Sequence, residues 1–156
     1  MQPLAFARAV ESAVRAVAAV GERQGWLMAM HPDLRAAFVR EHALAVAAYD
    51  AHDYGRAFHH IGRAHILGSH FWSTHFKSHW LMLQIGWHQR DPYEIWIQSL
   101  RTAGTFGTRL LAPFFGTTGN PGNAEYGVGA RFGLPADLAA LLGRQRFTDW
   151  PIFRRR

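Results

Sequence analysis

The residues best suited to chemistry in this sequence are ten histidines, which occur in a chain of 156 residues that has no cysteine. Without thiolates, the protein cannot form disulfides, iron–sulfur clusters, cysteine-ligated zinc sites or a cysteine nucleophile. Any metal ion would therefore be held by imidazole and carboxylate groups. Such ligands suit iron, zinc or copper better than calcium or magnesium, which prefer oxygen donors.

His75 and His79 are four residues apart in a segment with apolar residues at helical spacing. On a helix, this spacing places two imidazoles roughly 40° apart around the axis and about 6 Å apart along it, within reach of one metal ion. The two histidines lie in the middle of a broad apolar side that comprises Phe71, Trp72, Phe76, Met82, Leu83 and Trp87. The glutamate of an H-E-x-x-H zinc motif is absent.

A third histidine is expected to join this pair from the preceding helix. His65 shares a face with Phe58 and Ile61, so it should point inward, with His60 at the border of that face. One helix earlier, Glu41 and His42 flank an apolar stripe, where a carboxylate is costly unless it is paired or bound to a metal. The sequence therefore predicts a transition-metal site formed by His65, His75 and His79, with Glu41 as a candidate fourth ligand and His42 and His60 close by. An open coordination position would permit redox or hydrolytic chemistry.

Two other interpretations of the histidines stay open. Buried histidines often donate to a backbone carbonyl or to a carboxylate, and the protein would then be a small interaction module with structural histidines. Haem ligation by one histidine, in a pocket lined by Trp and Phe, is a further variant. The remaining histidines are predicted to be solvated or in loops: His31, His52, His59, His70 and His88.

A second polar stripe follows an i, i+4, i+7 line through Glu94, Gln98 and Arg101. The favoured interpretation is a solvent face with one ion pair. The alternative is that Gln98 and Arg101 lie beside the metal or the substrate, with the Arg101 guanidinium binding a carboxylate or another small anionic ligand. The glycine-rich loop near residues 119–123 could present backbone amides to an anion, although it lacks the Lys and Ser/Thr of a P-loop.

These groups must be positioned by helices, because apolar residues recur at spacings of three and four residues. No strict alternation of apolar and polar residues is long enough for a sheet. Helices are predicted over residues 3–20, 33–50, 53–67, 71–89, 91–110 and 135–142. Gly68 is predicted to follow the end of the third helix, and Asp91 with Pro92 to start the fifth. A loop dense in turn-forming residues covers 116–123.

The two central turns resemble each other in sequence. Residues 48–54 and 86–93 each end one helix and start the next with an Asp and a Tyr, at an offset of 38 or 39 residues. This pattern favours an all-α fold in which antiparallel helical hairpins pack in a tetratricopeptide-like manner. The expected organisation is one domain with an N-terminal amphipathic helix in residues 1–30, a histidine-rich four-helix core in 31–112, and a Gly-rich loop, short helix and basic tail in 113–156.

The chain carries a formal net charge of +6, from 17 basic and 11 acidic residues. The basic residues are scattered apart from the final three arginines, which argues against a nucleic-acid groove. Arg8, Glu11 and Arg15 interrupt the N-terminal apolar segment, which is too charged for a signal peptide and too short to span a bilayer. We therefore expect a cytoplasmic protein without membrane contact, and the N-terminal helix could pack across a homodimer.

The two histidine blocks resemble a family of short bacterial proteins, the domain-of-unknown-function family number 3703. The resemblance rests on residues 60–68 and on His75-x-x-x-His79 with the Trp-Leu-Met-Leu sequence that follows it. Gln98-x-x-Arg101 and the loop at Gly119 and Asn120 extend it, so that it covers roughly residues 41–142. The resemblance implies importance for His60, His65, His75, His79, Gln98 and Arg101, and assigns no activity. This chain departs from the family pattern at Gly62, where an acidic residue is commoner, and at Ser69, where glutamine is commoner.

Overall fold

The computed structural model describes residues 3–23, 30–111, 120–125 and 133–144, and every regular element in these ranges is a helix. The helices are α1 (Pro3–Arg23), α2 (Pro32–Asp50), α3 (Tyr54–Gly68), α4 (Trp72–Gln89), α5 (Pro92–Leu111) and α6 (Ala136–Leu142). The predicted all-α class is confirmed, and each predicted boundary lies within three residues of the observed one. None of the helices in the described ranges combines the length and apolar character needed to cross a membrane.

Helices α1 to α5 pack in chain order, each against the next, and α6 returns to contact α2 and α3. The core lies between α2, α3 and α4. Its largest fully buried apolar side chains are Phe38, Leu34, Ile61, Leu67, Met82, Ile85 and, from α6, Leu138. The tetratricopeptide-like arrangement of the hairpins stays a prediction. The basic tail from residue 145 onwards and residues 116–119 of the predicted loop lie outside the described residues.

The turns after α2 and α4 have the same hydrogen-bond pattern, 38 residues apart. His52 and Arg90 both adopt the left-handed conformation, with φ of 57° and 56°. After α2, the Asp53 N–H donates to the Ala48 carbonyl (2.9 Å), and after α4 the Asp91 N–H donates to the Gly86 carbonyl (3.0 Å). These bonds form the Schellman motif that satisfies the last carbonyls of a helix. The sequence similarity of the two turns therefore reflects a repeated helix–turn–helix connection.

The aspartate that ends each of these turns also starts the following helix. Asp53 Oδ1 accepts from the Arg56 N–H at 3.1 Å, and Asp91 Oδ1 accepts from the Tyr93 and Glu94 N–H groups at 3.0 Å. An aspartate here satisfies N–H groups that have no partner within the helix, and its charge is favourable at the helix N-terminus. The direction in which α3 and α5 leave their turns is thus fixed locally.

The N-terminal helix packs against the core of its own chain. Val14, Val17 and Ala18 of α1 pack against the core, next to α2. At the other end of the chain, Arg63 of α3 pairs with Asp137 of α6, and Arg144 donates to Asp33 of α2 at 2.6 Å. The homodimer stays a prediction, but α1, which could pack across it, already contacts α2 within the chain.

The buried side of α4 differs from the predicted one. Trp87, expected on the apolar side, is 68% exposed, and Trp80 is 49% exposed. The side chains that are buried instead include Thr74 and Ser78, whose hydroxyls donate to backbone carbonyls at 2.7–2.9 Å. A hydroxyl that binds a carbonyl of its own helix can be buried without leaving a polar group unsatisfied. Apolar character alone therefore misplaced the core side of this helix.

The contact between α2, α3 and the start of α4 depends on Gly68. It is the last residue of α3 and is not followed by a left-handed cap, since Ser69 is right-handed. A Cβ at Gly68 would lie 2.7 Å from Thr74 Oγ1 and 2.9 Å from Phe38 Cε2. Gly68 is thus required for close approach, whereas the sequence had suggested a role in ending the helix.

We predict that Gly68→Ala lowers the free energy of unfolding by about 1–3 kcal/mol, because the added methyl overpacks a filled core. The matched control is Gly55→Ala in the first turn of the same helix, where a Cβ would meet no atom within 4 Å. That variant should be neutral or stabilised by up to about 1 kcal/mol, since alanine favours helix more than glycine does. Urea denaturation of both variants measures the difference. Equal effects at the two positions would contradict the proposed contact.

Candidate metal centre

Three imidazoles meet between α3 and α4. The ring centroid of His65 lies 4.8 Å from that of His75 and 4.7 Å from that of His79, and the last two are 4.7 Å apart. One nitrogen of each ring lies within 4.8 Å of one nitrogen of each other ring. His65 and His79 are buried, and His75 is partly exposed. This cluster contains the three histidines that the sequence predicted as ligands, and they could hold one metal ion.

The turn between α3 and α4 brings these rings together. His65 is three residues before the end of α3, and His75 and His79 lie on the first two turns of α4. The Phe71 N–H donates to the Gly68 carbonyl at 2.9 Å, and the Thr74 hydroxyl donates to the same carbonyl at 2.7 Å. These bonds fix the end of one helix against the start of the next, so the spacing of the histidines follows from a short rigid connection.

Each nitrogen of His65 has a different environment. Nδ1 lies 3.0 Å from the Asn120 carbonyl oxygen, which can only accept, so Nδ1 carries the proton. Nε2 then has a lone pair, and this nitrogen is buried without a hydrogen-bond partner among the described residues. An unsatisfied buried nitrogen is rare in a folded protein and costs about 1–3 kcal/mol.

His79 is held on both sides. Its Nδ1 lies 2.7 Å from Gln98 Oε1, and its Nε2 lies 3.0 Å from His75 Nε2. Three imidazole nitrogens that bind one ion tetrahedrally at about 2.0–2.1 Å are separated from each other by about 3.3 Å. The observed distance between His75 and His79 is close to this value.

Two of the three residues of the second polar stripe are buried and Arg101 is half-buried, so the interpretation of this stripe as a solvent face is wrong. Glu94 is 6% exposed and Gln98 is fully buried. Gln98 Nε2 donates to Glu94 Oε1 at 2.6 Å and to the Gly122 carbonyl at 2.7 Å. Arg101 Nη1 donates to the carbonyls of Gly122 and, at 2.9 Å, Asn123. The structure thus places Gln98 next to His79 of the histidine cluster, whereas this Arg101 nitrogen binds the loop.

The segment 120–125, part of the predicted loop, faces the site mainly with backbone carbonyls. The sequence allowed its amides to bind an anion, and one of them, the Ala124 N–H, does donate to the Glu94 carboxylate. The carbonyls of Asn120, Gly122 and Asn123 accept from His65, Gln98 and Arg101. Gly122 has a φ of 92°, and a Cβ there would lie 3.1 Å from His65 Nδ1. The Asn-Pro-Gly sequence indicated a turn, but nothing in it indicated which groups the turn would bind.

A close packing contact also explains the glycine at position 62. A Cβ on Gly62 would lie 2.9 Å from Pro121 Cβ. An acidic side chain, the residue that the resemblance led us to expect at this position, would need the loop to lie differently. Ser69, the other departure, donates from its hydroxyl to the Ile66 carbonyl at 3.1 Å.

Glu41 is not brought to the histidine cluster. Its Oε2 lies 2.8 Å from His60 Nδ1, and its Oε1 accepts from Arg63 Nε at 2.8 Å. Both carboxylate oxygens are therefore engaged in a separate network, which continues from Arg63 to Asp137 of α6. The expectation that Glu41 completes the metal site is corrected, because the side of α2 that carries Glu41 meets His60 instead of His65.

His42 is also outside the cluster. Its ring packs on Phe38, with 5.6 Å between ring centroids, and its Nδ1 is buried without a hydrogen-bond partner among the described residues. Burial, with a smaller contribution from the Lys77 charge, lowers the pKa of His42 to about 4. His42 is therefore a neutral, partly buried side chain of α2 that lies apart from the cluster.

The three clustered imidazoles are neutral near pH 7. Burial, aided by the charge of neighbouring His70 and Arg101, lowers the pKa of His75 to about 4. For His79, burial and then His75 lower the pKa to about 3, while the Gln98 hydrogen bond acts in the opposite direction. Burial also holds the pKa of His65 well below its usual range. Neutral imidazole is the form that binds metal ions.

Comparison with known proteins places this site inside a recognised family region. A family model described as "Protein of unknown function (DUF3703)" matches residues 32–142. The matched region contains the three histidines, Glu94, Gln98 and the segment 120–125, whereas all of α1 precedes it. No curated protein and no solved structure matches the chain.

We predict that the metal-free protein loses stability as the pH falls from 6.5 to 5. In this window unfolded histidines bind protons, while His42, His75 and His79 with folded-state pKa values of about 3–4 do not. The free energy of unfolding therefore rises with pH, by up to about 1.4 kcal/mol per pH unit for each such histidine. Urea denaturation at several pH values measures this slope.

Two variants test which histidines cause the slope. His42→Leu removes one buried group and should reduce the slope by the contribution of one histidine. His59→Ala, at an exposed position, should leave it unchanged. A stability that does not vary between pH 6.5 and 5 would show that the buried imidazoles are not neutral in the folded state.

Proposed function

The chain belongs to this family, whose description assigns no activity, and we propose that the protein binds one divalent transition-metal ion through His65, His75 and His79. The observation that carries the proposal is the buried Nε2 of His65, which lacks a hydrogen-bond partner among the described residues and belongs to a ring packed against two more imidazoles. A metal ion would supply the partner that this nitrogen lacks.

A purely structural role accounts less well for this arrangement. Most structural buried histidines use both ring nitrogens, or leave one nitrogen exposed to water. Here Asn120 satisfies one nitrogen of His65 and leaves the other buried in a cluster of like groups. Packing three uncharged imidazoles together gives little stabilisation by itself, whereas three nitrogen lone pairs around one cation form several strong bonds.

The donor set favours a borderline ion such as zinc, copper(II) or iron. Imidazole suits these metals, and zinc accepts three histidines in a tetrahedral site at about 2.0–2.1 Å. Among the described residues, the group that could hold the ion contains three histidines and no carboxylate. The ligands would therefore leave the full +2 charge of the ion uncompensated, which strengthens its action as a Lewis acid.

Three protein ligands leave a fourth position for water or a substrate, as in catalytic zinc sites. An ion held in this way lowers the pKa of its bound water towards neutrality and so supplies hydroxide at pH 7. We therefore propose that the activity, if the ion is zinc, is hydrolytic or hydrating. The residues in contact with the ligands would keep the imidazoles oriented while the partly exposed side at His75 admits the reactant.

We predict that untagged protein, purified without a nickel column, contains or takes up about one ion per chain. Elemental analysis identifies the ion, and titration calorimetry of the metal-free protein with Zn²⁺ gives its affinity. An ion at about 100 times its Kd should raise the free energy of unfolding by about 2.7 kcal/mol. The same excess of Mg²⁺ should have no such effect, since imidazoles are poor ligands for it.

The matched variants remove two histidines each. His65→Ala with His79→Ala should abolish uptake, whereas His59→Ala with His88→Ala, both at exposed positions, should leave it unchanged. Uptake that is lost equally in both double variants would indicate surface binding. No uptake by the unmodified chain, for any of the three metals, would refute the proposal.

A further inference from the structure

A cluster of neutral histidines can bind either a cation or an anion. Each neutral ring carries a proton on one nitrogen and a lone pair on the other, so it presents an acceptor or a donor according to its tautomer. Lone pairs that point into the cluster favour a cation, and N–H groups that point into it favour an anion. The tautomer is set by the hydrogen-bond partner of the ring nitrogen that faces away from the cluster.

The amide of Gln98 has a fixed orientation. Its Nε2 lies 2.6 Å from Glu94 Oε1 and 2.7 Å from the Gly122 carbonyl oxygen. Both partners are acceptors, so the NH₂ group must face them and cannot exchange places with Oε1 without losing two hydrogen bonds. Gln98 Oε1 is therefore the atom that faces His79 Nδ1 at 2.7 Å, and it can only accept.

Glu94 is fixed in turn by the main chain. Its Oε2 accepts from the Ala124 N–H at 2.8 Å, and the side chain is buried. The direction of donation thus runs from the Ala124 amide to Glu94, and Gln98 donates to the same carboxylate. Every residue in this series of hydrogen bonds is buried, where a lost hydrogen bond is costly. The order of donors and acceptors therefore determines which nitrogen of His79 carries the proton.

From this order we infer that Gln98 is a positioning residue that holds the proton of His79 on Nδ1 and so directs its Nε2 lone pair into the cluster. The placement of the His79 proton is inferred from the hydrogen bonds alone. Its effect on metal binding rests on the proposed function. The Asn120 carbonyl has the same effect on His65, so two of the three rings present lone pairs. In the metal-free protein, the His75 Nε2–H then donates to the His79 Nε2 lone pair at 3.0 Å. A cation would displace this proton to His75 Nδ1, so that two preset lone pairs favour a cation over a small anion.

Such outer partners of metal ligands are usually carboxylates or carbonyls. Here a neutral amide lies between the carboxylate of Glu94 and the ring of His79. A carboxylate in direct contact with the imidazole would favour its protonation, whereas the amide oxygen orients the ring without adding charge. The amide thus fits a site in which all three imidazoles must stay neutral.

The test is the tautomer of His79 in the metal-free protein, measured from the ¹⁵N chemical shifts of labelled histidine rings at pH 7.5. The unmodified chain should show the proton on Nδ1. Gln98→Met, which is similar in volume but offers no acceptor oxygen, should place the proton on Nε2 in a large fraction of molecules. It should also weaken Zn²⁺ binding by about 10–100-fold.

Two controls separate positioning from general destabilisation. Gln98→Glu keeps an acceptor oxygen towards His79 and should retain the Nδ1 proton, even if its contact with Glu94 lowers stability. Gln89→Met makes the matched substitution at an exposed position of α4 and should change neither tautomer nor affinity. Should Gln98→Met fail to fold, the tautomers of the unmodified chain and of Gln98→Glu still decide the question.

A proton on Nε2 of His79 in the unmodified chain would overturn the inference, as would an unchanged tautomer in Gln98→Met. An altered tautomer with an unchanged Zn²⁺ affinity would overturn its consequence for metal binding. If the tautomers follow the expectation but the unmodified chain binds no metal, the role of Gln98 is supported and the proposed function is refuted.

Discussion

The structure depends on the hydrogen-bond partners that it provides for the imidazole nitrogens buried between α3 and α4. Three imidazoles cannot be placed in an interior as charged groups, so burial keeps them neutral and leaves each with one proton and one lone pair. The outer nitrogens of His65 and His79 bind a backbone carbonyl and an amide oxygen. The inner nitrogens face one another, and one of them has no partner among the described residues. The hydrogen bonds from Asn120 and Gln98 maintain this arrangement.

The segment 120–125 belongs to the site as much as the helices do. It supplies the carbonyl that holds His65, the carbonyl that fixes Gln98 and the amide that fixes Glu94. Arg101 attaches the same segment to α5. Its close approach requires glycines at positions 62 and 122, where a Cβ would meet Pro121 or the ring of His65. A loop with this composition would usually be assigned to anion binding through its amides, but here its carbonyls determine the polarity of the site.

The helices and the turns between them were predictable because their causes are local. Aspartate at a helix start, proline in the first turn and apolar residues at helical spacing act within a few residues of each other. The similarity of residues 48–54 and 86–93 anticipated a repeated connection, and the structure shows that the two turns share a left-handed residue and the same hydrogen bonds. The pair His75 and His79 followed from the spacing on one helix, and His65 from the inward face of its neighbour.

The sequence by itself determined the helical elements, the neutral nitrogen donors and the three histidines that meet. Only the tertiary structure decided that Trp87 is exposed, that Glu94 and Gln98 are buried, and that Glu41 binds His60 and Arg63 instead of joining the cluster. The physical reason is that helical periodicity fixes which residues share a face, but not which neighbour covers it. Helix α4 is covered by both α3 and α5, so polar residues of α5 that a single-helix view assigns to solvent are buried against it. Hydrogen bonds to a distant loop then make that burial favourable, and no local pattern encodes them.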